Sequence, residues 1–203
     1  MHPPHRTTAL AAAALLLGAA APATTLTFDE LPFQPVDGLS FSGVTFGFEV
    51  GGAPSPDASY NSGGPGLLTF VQDPVLEGDA AGILTLDFAV STCDLSFGLA
   101  LGTFGPVTPG AVVNLYDGAG ILLGSEAVDF DSIVSFSEGL FSWVGPIPAV
   151  RAVIDFDENA ASRFVLDNLT FHTVPCIPEA GTVLSGLGLV AMAGVAWRRQ
   201  HRR

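Results

Sequence analysis

The 203-residue chain contains no lysine, and only Arg151 and Arg163 supply basic charge between Pro22 and Trp197. Between Thr24 and Ile177 these two arginines stand against nineteen Asp or Glu, a balance of −17 within a formal total of −13. A surface of that sign repels phosphate backbones and argues against nucleic acid as a partner, while divalent cations and neutral ligands remain compatible with it. Histidine is scarce as well, His172 being the only one in the same interval. It stands beside the membrane-proximal linker, where a Ser-His-Asp triad is not comfortably assembled, and a single imidazole cannot make a multi-histidine metal centre. There is no Gly-rich phosphate loop after a strand and no basic aromatic patch for a nucleic acid. Helical periodicity of useful length is also missing there.

What the middle lacks, the two ends have. "MHPPHRTTALAAAALLLGAAAPATT" opens with a short polar start containing Arg6, continues with an apolar stretch from Ala9 to Ala21, and closes on Ala21-Pro22-Ala23. This pattern predicts a secretory signal peptide over residues 1–23, cut after Ala23. No cysteine follows the apolar run, so a lipid anchor is not indicated. At the other end, Ala180 to Trp197 carries no charge. As a helix those residues would span roughly 27 Å, close to the hydrocarbon thickness of a bilayer. Trp197 suits the interface, and Arg198, Arg199, Arg202 and Arg203 form a stop-transfer cluster that places the tail in the cytoplasm and the acidic domain outside. Gly186, Gly188 and Gly194 would weaken a helix in water, and the stretch has no polar face for a soluble one.

The end of the chain, Val174-Pro175-Cys176-Ile177-Pro178-Glu179-Ala180-Gly181-Thr182 followed by a Gly- and Leu-rich span and the arginines, resembles the PEP-CTERM sorting signal of Gram-negative bacteria. Ala180 stands where that family usually has a second proline. The resemblance covers the region from 174 to 203 and implies a sorting motif at Pro178, Glu179, Ala180 and Gly181, one transmembrane helix at about 180–197 and a basic tail at 198–203. It also implies passage through the protein-export machinery and processing by a membrane enzyme of the exosortase type.

Residues 24–173 have an all-β texture: short runs rich in Val, Ile, Leu, Phe and Thr, separated by Gly, Pro, Asp and Ser. Strands are expected near Thr25–Phe28, Leu39–Val50, Leu67–Val71, Ile83–Val90, Leu95–Leu101, Ala111–Tyr116, Ile121–Phe130, Ile133–Phe136, Leu140–Val144, Val150–Phe156 and Arg163–Phe171. Leu84, Leu86, Phe88 and Val90 fall on one face of their strand. So do Leu95, Phe97, Leu99 and Leu101, and Val150, Ala152, Ile154 and Phe156 on a third, so each has one buried face. "VVNLYDGAGILLGS" reads as a hairpin turning at Asp117-Gly118-Ala119-Gly120. The expected fold is two packed antiparallel sheets, a jelly-roll-type sandwich, with an antiparallel barrel as the alternative.

The opening "TLTFDELP", the hairpin and the ending "FVLDNLTF" resemble ectodomains that precede this sorting signal. The first and last stretches are also similar to the edges of jelly-roll carbohydrate-binding modules. That second resemblance implies a structural calcium held by Asp29 or Glu30 together with Asp167, though no cofactor is required.

Cys93 and Cys176 either pair as a disulfide in an oxidising periplasm or remain separate thiols. "GGAPSPDASYNSGGPG", Gly51 to Gly66, is either a mobile loop or a ligand-contacting one using Asp57, Tyr60 and Asn61. Phe141 and Trp143 read as core residues first and as a sugar-stacking platform second. "DFDEN", Asp155 to Asn159, is a solvated acidic turn or a metal loop, but not an EF-hand, because Ala160 replaces its glycine. The reading as a whole is an exported, non-enzymatic adhesive or structural sandwich of the cell envelope or extracellular matrix, with an exopolysaccharide or other glycan as its partner. The competing reading is a small secreted glycan-processing enzyme using paired carboxylates.

Overall fold

The computed structural model describes residues 23–133 and 135–172. The sorting motif, the transmembrane stretch at about 180–197, the arginine tail, Cys176 and the signal peptide before Ala23 all lie outside the described residues. Among the described residues no helix is long and apolar enough to cross a membrane.

The architecture is all-β. Its strands are β1 (Ala23–Leu26), β2 (Gln34–Pro35), β3 (Ser40–Phe41), β4 (Val44–Val50), β5 (Ala53–Pro54) and β6 (Ser59–Ser62), then β7 (Val75–Asp79), β8 (Gly82–Leu101), β9 (Val107–Tyr116), β10 (Leu122–Ile133), β11 (Phe136–Phe156) and β12 (Arg163–His172). Hydrogen bonding runs without a break through the order β10-β9-β11-β8-β12-β7-β6-β2, with β1 beside β12 and β4 beside β8. The expectation of two separate sheets is therefore corrected to one continuous antiparallel sheet.

That sheet still makes two layers, because β8 and β11 are long enough to serve both. Residues 82–88 of β8 pair with β4, and 83–87 with the second half of β11; residues 94–101 pair with the first half of β11, and 95–101 with β12. Where the strands pass between layers, the inward-facing positions change parity. In β8 the buried apolar residues are Leu84, Leu86 and Phe88, then Leu95, Phe97, Leu99 and Leu101. β11 does the same across register shifts between Val144 and Arg151, burying Phe141 and then Ala152, Ile154 and Phe156. Bulged, irregular pairing allows the switch, since a regular strand keeps one face inward throughout. Val90, expected inward, lies at this crossing and is 53% exposed.

The layers close on aromatic rings. Phe164 of β12 stacks on Phe156 at 4.0 Å and lies 5.8 Å from Phe48 of β4, while Phe88 meets Phe171 at 5.2 Å. None of these pairs belongs to strands bonded at that point, so each is a contact between layers. Burying such a side chain contributes on the order of 2–3 kcal/mol.

Two loop assignments change. Within Gly51 to Gly66 lie β5 and β6, and Tyr60 is fully buried against Phe28 and Phe46. Ala58 and Tyr60 thus belong to the core while most of the segment stays at the surface; density of Gly and Pro concealed a short strand. Conversely, Leu67–Val71 is no strand. It lies across the outer face of the second layer, where Val71 joins Val75, Ala100 and Val165 in a small separate core. Carboxylates hold it there: Glu138 accepts from the amides of Thr69 (3.0 Å) and Phe70 (2.9 Å), and Asp167 from Gln72 (2.8 Å).

The close approach of this segment requires a glycine beneath it. A Cβ on Gly98 would stand 2.1 Å from the Phe70 carbonyl oxygen, a main-chain atom that cannot rotate away. Gly98→Ala is expected to lower stability by about 2 kcal/mol, roughly 4–8 °C in melting temperature. Gly105→Ala, where nothing lies within 4 Å, should leave melting unchanged. Equal melting of the two variants would refute the clash.

Candidate ligand-binding face

The outer face of the first layer carries charged, polar, aromatic and aliphatic side chains. Antiparallel partners point to the same side of a sheet, so the register places side chains in rows across the strands. One row runs Thr45, Asp87, Arg151, Tyr116 and Leu122, from β4 through β8, β11 and β9 to β10. The next runs Gly47, Thr85, Val153, Asn114 and Ser125. Beyond it stand Glu49, Ile83, Asp155, Val112 and Ala127. None of these residues is buried. At 4.7–4.9 Å between strands a five-strand row extends roughly 19 Å. The middle row has the smaller side chains, with Gly47 at one end, and forms a floor between larger neighbours.

Arg151 and Asp87 are locked side by side. Nε donates to Oδ1 at 2.6 Å and Nη2 to Oδ2 at 2.9 Å, the two-pronged geometry that favours arginine over lysine. The carboxylate raises the pKa of the guanidinium further. Both side chains stay accessible, 51% and 41% exposed. Around them Tyr116, Asp117, Gly118, Gly120, Val150 and Val153 complete a pocket of ≈ 470 Å³, within the range of small-molecule sites.

One wall of that pocket is the β9–β10 turn, which forms where the sequence places it. Asp117 Oδ1 accepts from the amides of Ala119 and Ile121, both at 2.9 Å, and Gly120 takes φ of 77°. Only glycine occupies that conformation without strain. Asp87, Tyr116 and Arg151 were not singled out by the sequence reading. Their one signal is rarity: each of the two arginines between Pro22 and Trp197 pairs with at least one carboxylate.

The other arginine serves the fold. Arg163 bonds Asp57 at 2.7 Å and Glu77 at 3.1 Å, and Asp57 also accepts from the Asp79 amide at 2.8 Å. Asn61 donates to the Leu31 carbonyl at 2.6 Å. Tyr60 is thus buried and Asn61 is tied to the main chain, which corrects their reading as ligand contacts, while Asp57 is paired with Arg163 but stays 44% exposed. Phe141 is buried and stacks on Phe97 at 4.7 Å, and Trp143 packs against the core. Asp157 folds "DFDEN" into a turn by accepting from the Asn159 amide at 3.0 Å. Cys93 is not a free thiol. The other half of the expected pair, Cys176, lies outside the described residues.

Asp29, Glu30 and Asp167 come close enough that Asp29 and Glu30 help raise the pKa of Asp167. Each nevertheless has protein donors. Asp29 accepts from the Thr27 hydroxyl at 2.8 Å, and Glu30 from the Thr27 amide at 2.8 Å and from the Tyr60 hydroxyl. Asp167 accepts from the amides of Gln72 and Asn168 and the Asn168 side chain, at 2.8, 2.6 and 2.9 Å. Among the described residues no group of three or more His, Cys, Asp or Glu is arranged to hold a metal ion.

No protein-family model and no curated protein matches the chain. Among solved structures, it is similar to a family 29 carbohydrate-binding module from Piromyces equi, with 14% identity, a TM-score of 0.38, and coverage of 77% of this chain and 94% of that one. It is also similar to a cleaved adhesin domain of Lys-gingipain, with 11% identity, a TM-score of 0.43, and coverage of 75% and 98%. A third is the family 22 module with its catalytic module from a Clostridium thermocellum xylanase, at 14% identity and a TM-score of 0.39, covering 72% and 29%. Likeness this distant transfers no ligand.

The buried carboxylate gives a pH signature. Burial pushes the Asp167 pKa from 3.8 to about 6 against the lowering effect of the amides of Gln72 and Asn168, and the charges of Glu30 and Asp29 push the same way as burial. The folded chain therefore holds a proton that the unfolded chain releases near 3.8. This group favours folding most below that pH, and its contribution is lost as pH rises through about 6. The difference amounts to roughly 3 kcal/mol at 1.4 kcal/mol per unit. Glu30 acts oppositely: burial raises it, but the Tyr60 and Thr27 donors outweigh burial and hold it below 4.5, so its contribution is lost only at lower pH. Chemical denaturation of the wild type and Asp167→Asn between pH 4 and 6 should show the wild type losing stability relative to the variant as pH rises. Parallel curves would contradict this. Repeating the wild-type series with calcium and with chelator at fixed ionic strength tests whether a cation also binds these carboxylates, since binding to the folded state would raise its stability at neutral pH.

Proposed function

We propose that this chain is an exported cell-envelope or extracellular-matrix protein whose non-catalytic, jelly-roll-type sandwich binds a saccharide on the outer face of its first layer. The observation that carries the reading is the row Asp87, Arg151 and Tyr116 beside a floor of small polar and apolar residues. Sugars present hydroxyls at their edges and C–H groups on their faces. Such a surface needs charged or polar hydrogen-bonding groups next to an aromatic ring. Both pocket carboxylates already have partners, Asp87 in the ion pair and Asp117 in its turn. That favours binding over hydrolysis, which needs two carboxyl groups facing one bond.

Export and sorting are supported by the sequence: the apolar N-terminal stretch ending at Ala23, and the Pro178-Glu179-Ala180-Gly181 motif before an uncharged span and four arginines. On this reading the chain crosses the inner membrane, is held by its C-terminal helix, and is cleaved near the motif by an exosortase-type enzyme. Mass spectrometry of protein from the native host should find C-termini between Pro178 and Gly181, and intact chains when the sorting enzyme is removed. Recovery of only intact "RRQHRR" ends from the normal host would count against processing.

Binding is tested by retention of the full chain on immobilised polysaccharides, with Arg151→Ala as the comparison. Retention should fall at least tenfold in the variant while its melting temperature stays within about 2 °C, since an exposed pair contributes little to stability. Release of new reducing ends from a retained polysaccharide would transfer the site to the glycan-processing reading.

A further inference from the structure

Resting on the saccharide reading, we infer that the Arg151–Asp87 pair selects neutral saccharides through a vicinal diol and excludes polyuronates. A guanidinium has five N–H donors, all without acceptor capacity, and a carboxylate has only acceptor sites. The side-on pairing uses Nε and one N–H of Nη2, so three donors stay available, and each oxygen of Asp87 keeps acceptor capacity. What is left is a donor group and an acceptor group side by side, both accessible to solvent.

A diol fits that combination because each hydroxyl both donates and accepts. One hydroxyl can donate to Asp87 Oδ2 while its neighbour accepts from the remaining N–H of Nη2 beside it. A carboxylate ligand fits poorly. It offers acceptors alone, so it can use the remaining donors of Arg151 but leaves the acceptor sites of Asp87 unmatched and brings a second negative charge beside that carboxylate. Asp117 lines the same pocket, and Glu49 and Asp155 stand along the far row. With −17 over the region as a whole, an anionic polymer meets the same sign on every side. Neutral hydroxyls meet no such penalty. Thr85 and Val153 form the floor along which the rest of the polymer would lie across the strands.

The pair also makes specificity switchable by one atom. In Asp87→Asn the shape is kept but the ionic lock is gone, and Arg151 becomes an unneutralised cation able to grip a carboxylate in the two-pronged manner. The test measures retention of the full chain at 150 mM salt on galactomannan and glucomannan, which are neutral, and on alginate and polygalacturonate, which are polyuronates. The wild type should retain the neutral polymers at least tenfold more strongly. Asp87→Asn should lose most of that retention and gain binding to polyuronates. Thr85→Trp, which fills the floor and leaves both charges of the pair in place, should weaken neutral binding and create none for polyuronates. Wild-type preference for polyuronates, or neutral binding unaffected by Asp87→Asn in a variant that melts normally, would overturn this inference and leave the saccharide reading standing. Failure of the wild type to bind any of the four polymers would overturn both.

Discussion

Two strands of about twenty residues carry the whole architecture, because each crosses from one layer to the other and changes its inward face on the way. Gly82–Leu101 and Phe136–Phe156 lie side by side through both layers. Their change of parity lets Phe88 meet Phe171 from the opposite layer while Phe97 and Phe141, side by side on adjacent strands, point into the same core. A regular strand continued through the crossing would turn one of those sets toward water. The outer face of the first layer exists on the same terms, since its rows depend on β8 and β11 staying in register after the irregular stretch between Val144 and Arg151.

An acidic chain without lysine must find other partners for its carboxylates, and here main-chain amides are prominent among them. Asp37 accepts from Phe48, Asp73 from Gly64 and Gly66, Asp117 from Ala119 and Ile121, Asp157 from Asn159, and Glu138 from Thr69 and Phe70. Bonds to an ionised acceptor are roughly twice as strong as neutral ones, so side chains that would otherwise repel one another become anchors for turns and loops. Glu138 is 3% exposed and holds a segment that has no strand to join, which makes acidity a structural resource as well as a surface property.

This use of carboxylates also sets the two arginines apart. Arg163 sits among Asp57 and Glu77 and ties β12 to its neighbours, whereas Arg151 stands on an open face with a carboxylate partner and a tyrosine beside it. The same residue type therefore closes the fold in one place and leaves donors facing solvent in the other. The difference lies in which sheet face each occupies.

Alternation of apolar residues was enough to place most long strands and the Asp117–Gly120 turn, because period-two burial and a glycine at positive φ are local requirements. The all-β class, the core roles of Leu84, Phe97 and Ile154, and the acidic character follow from the same local information. Joining of Ile83–Val90 to Leu95–Leu101 as one strand did not, since the parity change between them reads as an end. Nor did the strand that buries Tyr60 inside a Gly- and Pro-rich stretch, or the displacement of Leu67–Val71 from the sheet, where an apolar run settled on Ala100 and Val165 under the pull of Glu138 and Asp167. Asp87, Tyr116 and Arg151 lie far apart along the chain, and only pairing of β8, β11 and β9 brings them into one row. Residue patterns determine which face of a strand is apolar, whereas the neighbours on its polar face are chosen by register, which belongs to the folded sheet.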